Sequence, residues 1–397
     1  MNRFLFVFFI GVIINANAQK NEKLILNAKA EIDFKNYSEA LVYIDSISEK
    51  DYYAFYLSGQ SYFELEDYSK AISNFKSCNQ LKANYADYYL AKSYALSQDF
   101  KSAKTYLDEY LNLVNKRFLV EVTDEPSFSN FKETDIWASI NIEETYSIDE
   151  KSIARANFYK RKGEIGLALD ILDELLEENK NSAEAYFYRA EFIIDLNEDY
   201  KYAIADLKKA IKLNPESYKY QKRLAEYYYH ELKYSKAVKH FKIVQSIFPY
   251  QLENYFKISQ SYFRLGEIVE AKKYIDLFLE IDFRNIDALK LAGQLYYENE
   301  DYKESIYYFS EAIYINSRRI DLLVLRGNAY MESEDFQRAE MDYNIAANIE
   351  PRNGQYWFLK AQALLALGRK DDACKNFKKA RYLNYYQADV YLLEECN

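Results

Sequence analysis

Residues 293–309 read GQLYYENEDYKESIYYF, and residues 327–343 read GNAYMESEDFQRAEMDY; laid over one another they share a plan. Each opens on a small residue (Gly293, Gly327), sets a tyrosine three places later (Tyr296, Tyr330) and then runs through an acidic, polar stretch. An aromatic follows (Tyr302, Phe336), then a second small residue 12 places after the first (Ser305, Ala339), then another aromatic four further on (Phe309, Tyr343). The two windows are 34 residues apart. A fixed period of this size is the signature of a repeat architecture, and it has to be weighed before any local reading.

Outward from these windows the plan persists. The pairs Ala203 with Leu207, Ala237 with Phe241, Ala271 with Ile275, Ser305 with Phe309, Ala339 with Tyr343 and Ala373 with Phe377 are spaced by five successive steps of 34. The earlier small residue lies 12 places ahead in Ala225, Ser259, Gly293, Gly327 and Ala361, and 13 ahead in Ala190, which assigns one extra residue to the turn at 197–199. Toward the N-terminus the 12-residue pair recurs as Ala28 with Ala40, Gly59 with Ala71, Ala91 with Ala103 and Ala156 with Ala168, at less regular separations. Ten repeats are therefore expected, the first and fourth the weakest.

Within a repeat, apolar positions fall three, four and seven apart on both sides of a polar turn, which predicts two amphipathic helices and excludes strands. The scarcity of turn formers, 9 Gly and 4 Pro in 397 residues, agrees. Small residues fit where two helices cross, because a short interaxial distance leaves no room for a larger side chain. Aromatics then fill the space beside them, which accounts for most of the 42 tyrosines as packing.

The order of a bulky apolar residue, a small residue, Tyr, a turn, Ala, Phe, Ala and a closing Pro resembles the tetratricopeptide repeat. Trp357, Ala361, Ala373, Phe377 and Ala380 carry it in the last repeat, Ala203, Leu207, Ala210 and Pro215 in the fifth, and Phe55, Gly59, Tyr62, Ala71 and Phe75 in the second. The resemblance implies an all-α fold, an α-solenoid coiled as a right-handed superhelix of about ten helix-turn-helix repeats. The expected layout is a signal peptide over 1–18, three repeats over 19–113, an insert over 114–148, and seven repeats with a capping helix over 149–397. For the insert two readings stand: a hinge or partner-contacting segment, and a helical plug in which Phe131 and Trp137 cover the end of the third repeat. The plug is preferred.

The first 18 residues carry Arg3, an apolar run from Phe4 to Ile14 and small residues before Gln19. This predicts a secretory signal peptide, with an uncleaved anchor as the alternative; no later segment has the roughly 20 apolar residues a membrane helix needs. Export is expected, most simply to the periplasm of a bacterium. The net charge of -10 becomes one more negative once Arg3 is removed, which disfavours nucleic acid as a partner because phosphate binding draws on Lys and Arg. Cys78, Cys374 and Cys396 are too few for a disulfide framework; a bond between Cys374 and Cys396 is conceivable, but separate buried thiols are the favoured expectation.

The resemblance also implies a concave face, lined by the first helix of each repeat, that holds a protein or peptide partner. The position after the first small residue reads Gln260, Gln294, Asn328 and Gln362 in the later repeats. A side-chain amide both donates and accepts, so this column suits the backbone of an extended peptide; equally, it is a run of polar residues on a wet face. Flanking apolar area would come from Phe187, Tyr229, Phe256, Phe263, Tyr297 and Phe358. The carboxylate-capturing variant of such grooves wants basic groups where this chain has Gln355 and Phe358, so that clamp is expected to be absent. A carbohydrate or small-ligand site is the competing reading, weakened by the presence of only Trp137 and Trp357 as stacking platforms. The only histidines, His230 and His240, are expected at the surface, and nothing assembles a metal site, a nucleophile-base pair or a phosphate loop. No cofactor and no catalysis are expected.

Overall fold

The computed structural model describes residues 20–113, 119–140, 142–195 and 200–396, so the signal segment and the turn at 197–199 lie outside the described residues. The fold is all-α: the described residues form a solenoid of ten helical hairpins, with an insert between the third and the fourth, and contain no strand. Two compact units divide it, one reaching to Gln251 and one over Leu252–Asn397. The first holds six hairpins and the insert. The second holds four hairpins, beginning with Leu252–Arg264 and Ile268–Leu279 and ending with Gly354–Ala366 and Lys370–Tyr382, followed by a short helix, Ala388–Glu394.

The spacing of small residues translates directly into helix crossings. Gly59, Gly293 and Gly327 each face an aromatic ring of the second helix, and a Cβ added there would lie 2.6 Å from Phe75, 2.5 Å from Phe309 and 2.5 Å from Tyr343. The second small residues Ala71, Ala103, Ala203, Ala237, Ala271, Ala339 and Ala373 are wholly buried. Two crossings carry a hydroxyl: Ser259 donates to the Ala271 carbonyl and Ser305 to the Gly293 carbonyl, both at 2.8 Å. Bonding satisfies the hydroxyls in a place where an unpaired one would be costly.

Every described turn within a hairpin uses one residue in the left-handed region. It is glycine at Gly163, Gly266 and Gly368, but Glu66, Leu232, Glu300 and Glu334 among others adopt φ near 60°. The turn satisfies the last carbonyls of the first helix: Glu300 N–H donates to the Tyr297 carbonyl and Asp301 N–H to that of Tyr296, both at 2.9 Å. Several second helices are then capped by the next residue, as where Asp67, Asp99 and Asp335 accept from the backbone three residues on. Loss of such a cap typically costs about 1 kcal/mol.

The insert is built of short helical turns, among them Leu119–Thr123, Ser129–Lys132 and Asp135–Ala138. Its Val122, Phe128, Phe131, Ile140 and Ile142 share one core with Tyr88, Ala91, Leu107 and Leu111 of the third hairpin, and Trp137 packs against it. Phe131 stacks on Phe100 at 5.5 Å and meets Trp137 edge-on at 5.2 Å. These contacts cover the apolar end of the third hairpin.

The first unit also touches itself across a long stretch of chain. Phe248 and Tyr250, which follow the sixth hairpin, pack on the core of the first two hairpins. Tyr250 stacks on Tyr53 with ring centroids 4.9 Å apart and donates its hydroxyl hydrogen to Asp51.

Two expectations are corrected. Cys374 and Cys396 form a disulfide, with an S–S distance of 2.01 Å, rather than standing as separate thiols. The reason lies in the packing of the last short helix: its Tyr391 meets Phe377 at 4.8 Å, and its hydroxyl oxygen accepts a hydrogen bond from Gln362 Nε2 at 2.9 Å. Tyr89 of the third hairpin meets Phe75 and Gln60 in the same way, at 5.3 Å and 3.2 Å, from positions 302 residues earlier. The terminal helix thus occupies the place of an eleventh first helix, and its far end brings Cys396 beside Cys374. Second, His240 is not a surface residue. It is half-buried, its Nδ1 is 2.8 Å from Gln221 Oε1, and burial lowers its pKa. His230 is exposed.

Candidate partner-binding face

In each hairpin the position one residue beyond the first small residue marks a ridge of the first helix, and its chemistry differs between the two units. In the first unit the ridge is mixed, with Gln60, Lys92, Asn157, Glu191 and Glu226, and it is internally bonded: Gln60 donates to the Tyr89 hydroxyl at 3.2 Å. Arg223 donates from Nε to Glu191 and, at 3.1 Å, from a terminal nitrogen to Glu226. Asn157 donates to its own helix at the Ile153 carbonyl, at 3.0 Å. Little hydrogen-bonding capacity is left over there.

In the second unit the ridge is made of amides. Gln260, Gln294, Asn328 and Gln362 are all half-buried. Asn328 accepts from the Tyr343 hydroxyl at 2.8 Å, and Gln362 is engaged by Tyr391. Gln260 and Gln294 form no side-chain hydrogen bond among the described residues. Gln294, Asn328 and Tyr297, with Leu325 and Phe309 behind them, line a cavity of about 100 Å³. A half-buried amide without a partner holds both a donor and an acceptor ready, and filling them on binding avoids the cost of leaving them dry and unpaired.

The apolar positions divide. Phe256, Phe263, Tyr297 and Tyr229 are half-buried, with Phe256 against Phe278, Tyr297 against Tyr302, and Tyr229 against Tyr234. Phe358 and Phe187 are corrections, since both are buried by their own chain. Phe358 is 6% exposed beneath Tyr385 and Tyr391, because the helix Ala388–Glu394 packs over it. Phe187 is 5% exposed, with Tyr220 against its ring and the Lys219 ammonium 4.1 Å from its centroid. The usable part of the amide face is therefore Gln260 to Asn328 with Phe256, Phe263 and Tyr297.

Period alone did not reveal the charge network of the second unit's flank. Arg326 makes a two-pronged bond to Asp342, at 2.7 and 2.8 Å, and Asp342 is 3% exposed. Arg189 repeats it with Asp206 in the first unit. The signal was present in the sequence as an Arg directly before the first small residue and an Asp three after the second. Among the described residues no group of His, Cys, Asp and Glu is placed to hold a metal ion, and no helix is long and apolar enough to cross a membrane.

Family models described as tetratricopeptide repeat match residues 52–85, 252–285 and 286–319, and a further one matches 324–389. The C-terminal part of a TPR repeat-containing protein from Cytophaga hutchinsonii aligns with a TM-score of 0.51 at 17% identity, covering 58% of this chain and 95% of its own. A tetratricopeptide repeat protein from Parabacteroides merdae gives 0.46 at 18% identity, covering 63% and 99%. The APC/C hetero-tetramer Cut9-Hcn1 gives 0.45 at 14% identity, covering 93% and 82%. No curated protein matches in sequence. The likeness to the Cytophaga protein is one of fold.

Proposed function

We propose that this chain, a tetratricopeptide repeat protein, is a non-catalytic scaffold of the bacterial envelope that holds an extended segment of a partner polypeptide along the first helices of its second unit. One observation carries the reading: Gln260 and Gln294 stand half-buried with unused amides, next to the cavity that Gln294 shares with Tyr297 and Asn328. Amides paired to a peptide backbone give affinity with little regard to side-chain sequence, and the flanking Phe256, Phe263 and Tyr297 add apolar area. The disulfide between Cys374 and Cys396 supports an oxidising compartment, in line with the signal-like N-terminus.

Polypeptide is favoured over sugar because neither tryptophan is presented as a platform. Trp137 packs into the core of the insert, and Trp357 is 8% exposed with Lys379 3.3 Å from its ring centroid. The test is affinity capture of partners by the full chain and by the double variant Gln260→Ala, Gln294→Ala. A loss of roughly tenfold or more in partner affinity is expected from two missing amides at about 1 kcal/mol each. Unchanged affinity would remove the amide face from the function.

A further inference from the structure

The helix Phe336–Ile349, second of the ninth hairpin, exposes an apolar ridge. Its Ala339, Tyr343 and Ala346 are buried. Met341, Ile345 and Ile349, spaced by four and so aligned on the opposite side, are 56%, 43% and 47% exposed. The position two after the second small residue is mostly polar in other hairpins, as in Ser73, Asp170, Lys239, Lys273 and Lys375. In the eighth and ninth hairpins it is Tyr307 and Met341, both exposed.

The period extends this patch to the neighbouring second helices, Tyr302–Ile315 and Lys370–Tyr382, because equivalent positions of consecutive repeats stand side by side. Tyr314 and Tyr382 are equivalent and flank the ridge, and they are 88% and 86% exposed. With Tyr307, Met341, Ile345 and Ile349 they offer on the order of 700 Å² per copy, close to the roughly 800 Å² per partner of a stable interface. An apolar area of this size exceeds the largest patch of a typical monomer, about 300–600 Å².

The two flanks carry opposite charge at equivalent positions. Glu311 lies to one side of Ile345 and Lys379 to the other, each one period away. Glu311 is exposed and forms no ion pair among the described residues. Lys379 is exposed, and its place over the Trp357 ring leaves its charge intact. A twofold axis along Phe336–Ile349 exchanges the flanks, so that ridge meets ridge while Glu311 of each copy falls opposite Lys379 of the other and Tyr314 opposite Tyr382. Arg338 also meets its counterpart, but Asp335 at 3.3 Å already offsets it. The antiparallel alternative sets Glu311 against Glu311 and Lys379 against Lys379, a like-charge arrangement that costs affinity.

We propose that this face pairs two copies of the chain, the ridge of Met341, Ile345 and Ile349 lying parallel on its counterpart and Glu311 of each copy against Lys379 of the other. The pairing goes beyond the scaffold reading and uses no residue of the amide face.

The test is sedimentation velocity of the full chain across the micromolar range, with helix content and Tm recorded for every variant. A reversible dimer is expected, and Ile345→Glu should weaken it about tenfold or more while helix content and Tm stay unchanged. Glu311→Lys should weaken it several-fold, and adding Lys379→Glu should restore it. On oxidation, Ile345→Cys and Met341→Cys should each give a covalent dimer, whereas Val269→Cys, at an exposed position on another helix of the second unit, should not. A monomer at every concentration, a dimer indifferent to Ile345→Glu, or cross-linking at Val269 equal to that at Ile345 would overturn the proposal. Cross-linking at Ile345 but not at Met341, or a charge swap that fails to restore the dimer, would overturn the parallel arrangement. A monomeric chain whose capture of a partner polypeptide is weakened by Ile345→Glu would give the face to that partner instead.

Discussion

Ser305 and Gly293 meet across a helix crossing, the serine hydroxyl donating to the glycine carbonyl at 2.8 Å while the ring of Phe309 lies against the same glycine. A methyl group at Gly293 would stand 2.5 Å from that ring, closer than any real contact. Overpacking of this kind costs about 1–3 kcal/mol, against a helix-propensity gain of roughly 1 kcal/mol for alanine. Gly293→Ala is therefore expected to destabilise the second unit by about 1 kcal/mol in urea denaturation. Gly166→Ala, where a Cβ meets nothing within 4 Å, should be neutral or stabilising; a loss there equal to that at Gly293 would sink the packing argument.

Arg326→Ala removes the partner of Asp342, a carboxylate 3% exposed. Leaving a buried charge uncompensated costs about 3–5 kcal/mol. The same change at Arg338, exposed and paired with Asp335 at 3.3 Å, should cost less than about 1 kcal/mol. Thermal melts of the two variants side by side decide it, and similar Tm values would refute the distinction.

Asp87 is fully buried, its Oδ2 has no hydrogen-bond partner, and burial pushes its pKa up to about 6 despite a bond from Asn79. The native state therefore binds the proton more tightly than the unfolded chain does. Below pH ~4 Asp87 is protonated in both states and imposes no penalty; stability falls as pH rises from ~4 to ~6 and is level beyond. Asp87→Asn should raise stability near pH 7 by at most about 3 kcal/mol, the equivalent of a two-unit shift, and the gain should vanish at pH ~4. A gain that does not depend on pH would show that burial of the charge is not its source.

Reducing the bond between Cys374 and Cys396, which are 22 residues apart, should lower stability by about 3 kcal/mol in the chain-entropy account. Hydrogen exchange should speed up first in Ala388–Glu394 and then in Gly354–Ala366, whose Phe358 and Gln362 that helix covers. Exchange unaltered by reductant would mean that the helix docks without the bond.

The hairpins were legible because a crossing needs small residues at a fixed offset, and an offset of 12 inside a period of 34 survives wide variation elsewhere. Gly293 with Ser305 and Ala339 with Tyr343 behave in the structure as their spacing implies. What the period leaves open is whether a neighbour covers a given face. Phe187 and Phe358 share the register of Phe256, yet Tyr220 buries the first and Tyr391 the second. The disulfide was missed for the same reason, since its formation depends on the helix Ala388–Glu394 packing on the last hairpin as a further first helix would.

In a stack whose members touch only their neighbours, an end member can be lost and the remainder stands. The bond from Tyr250 to Asp51 joins side chains 199 positions apart, so hairpins one to six are answerable to each other at both ends. Trimming either end would expose the other, and the closing contact can form only once the hairpins between have stacked.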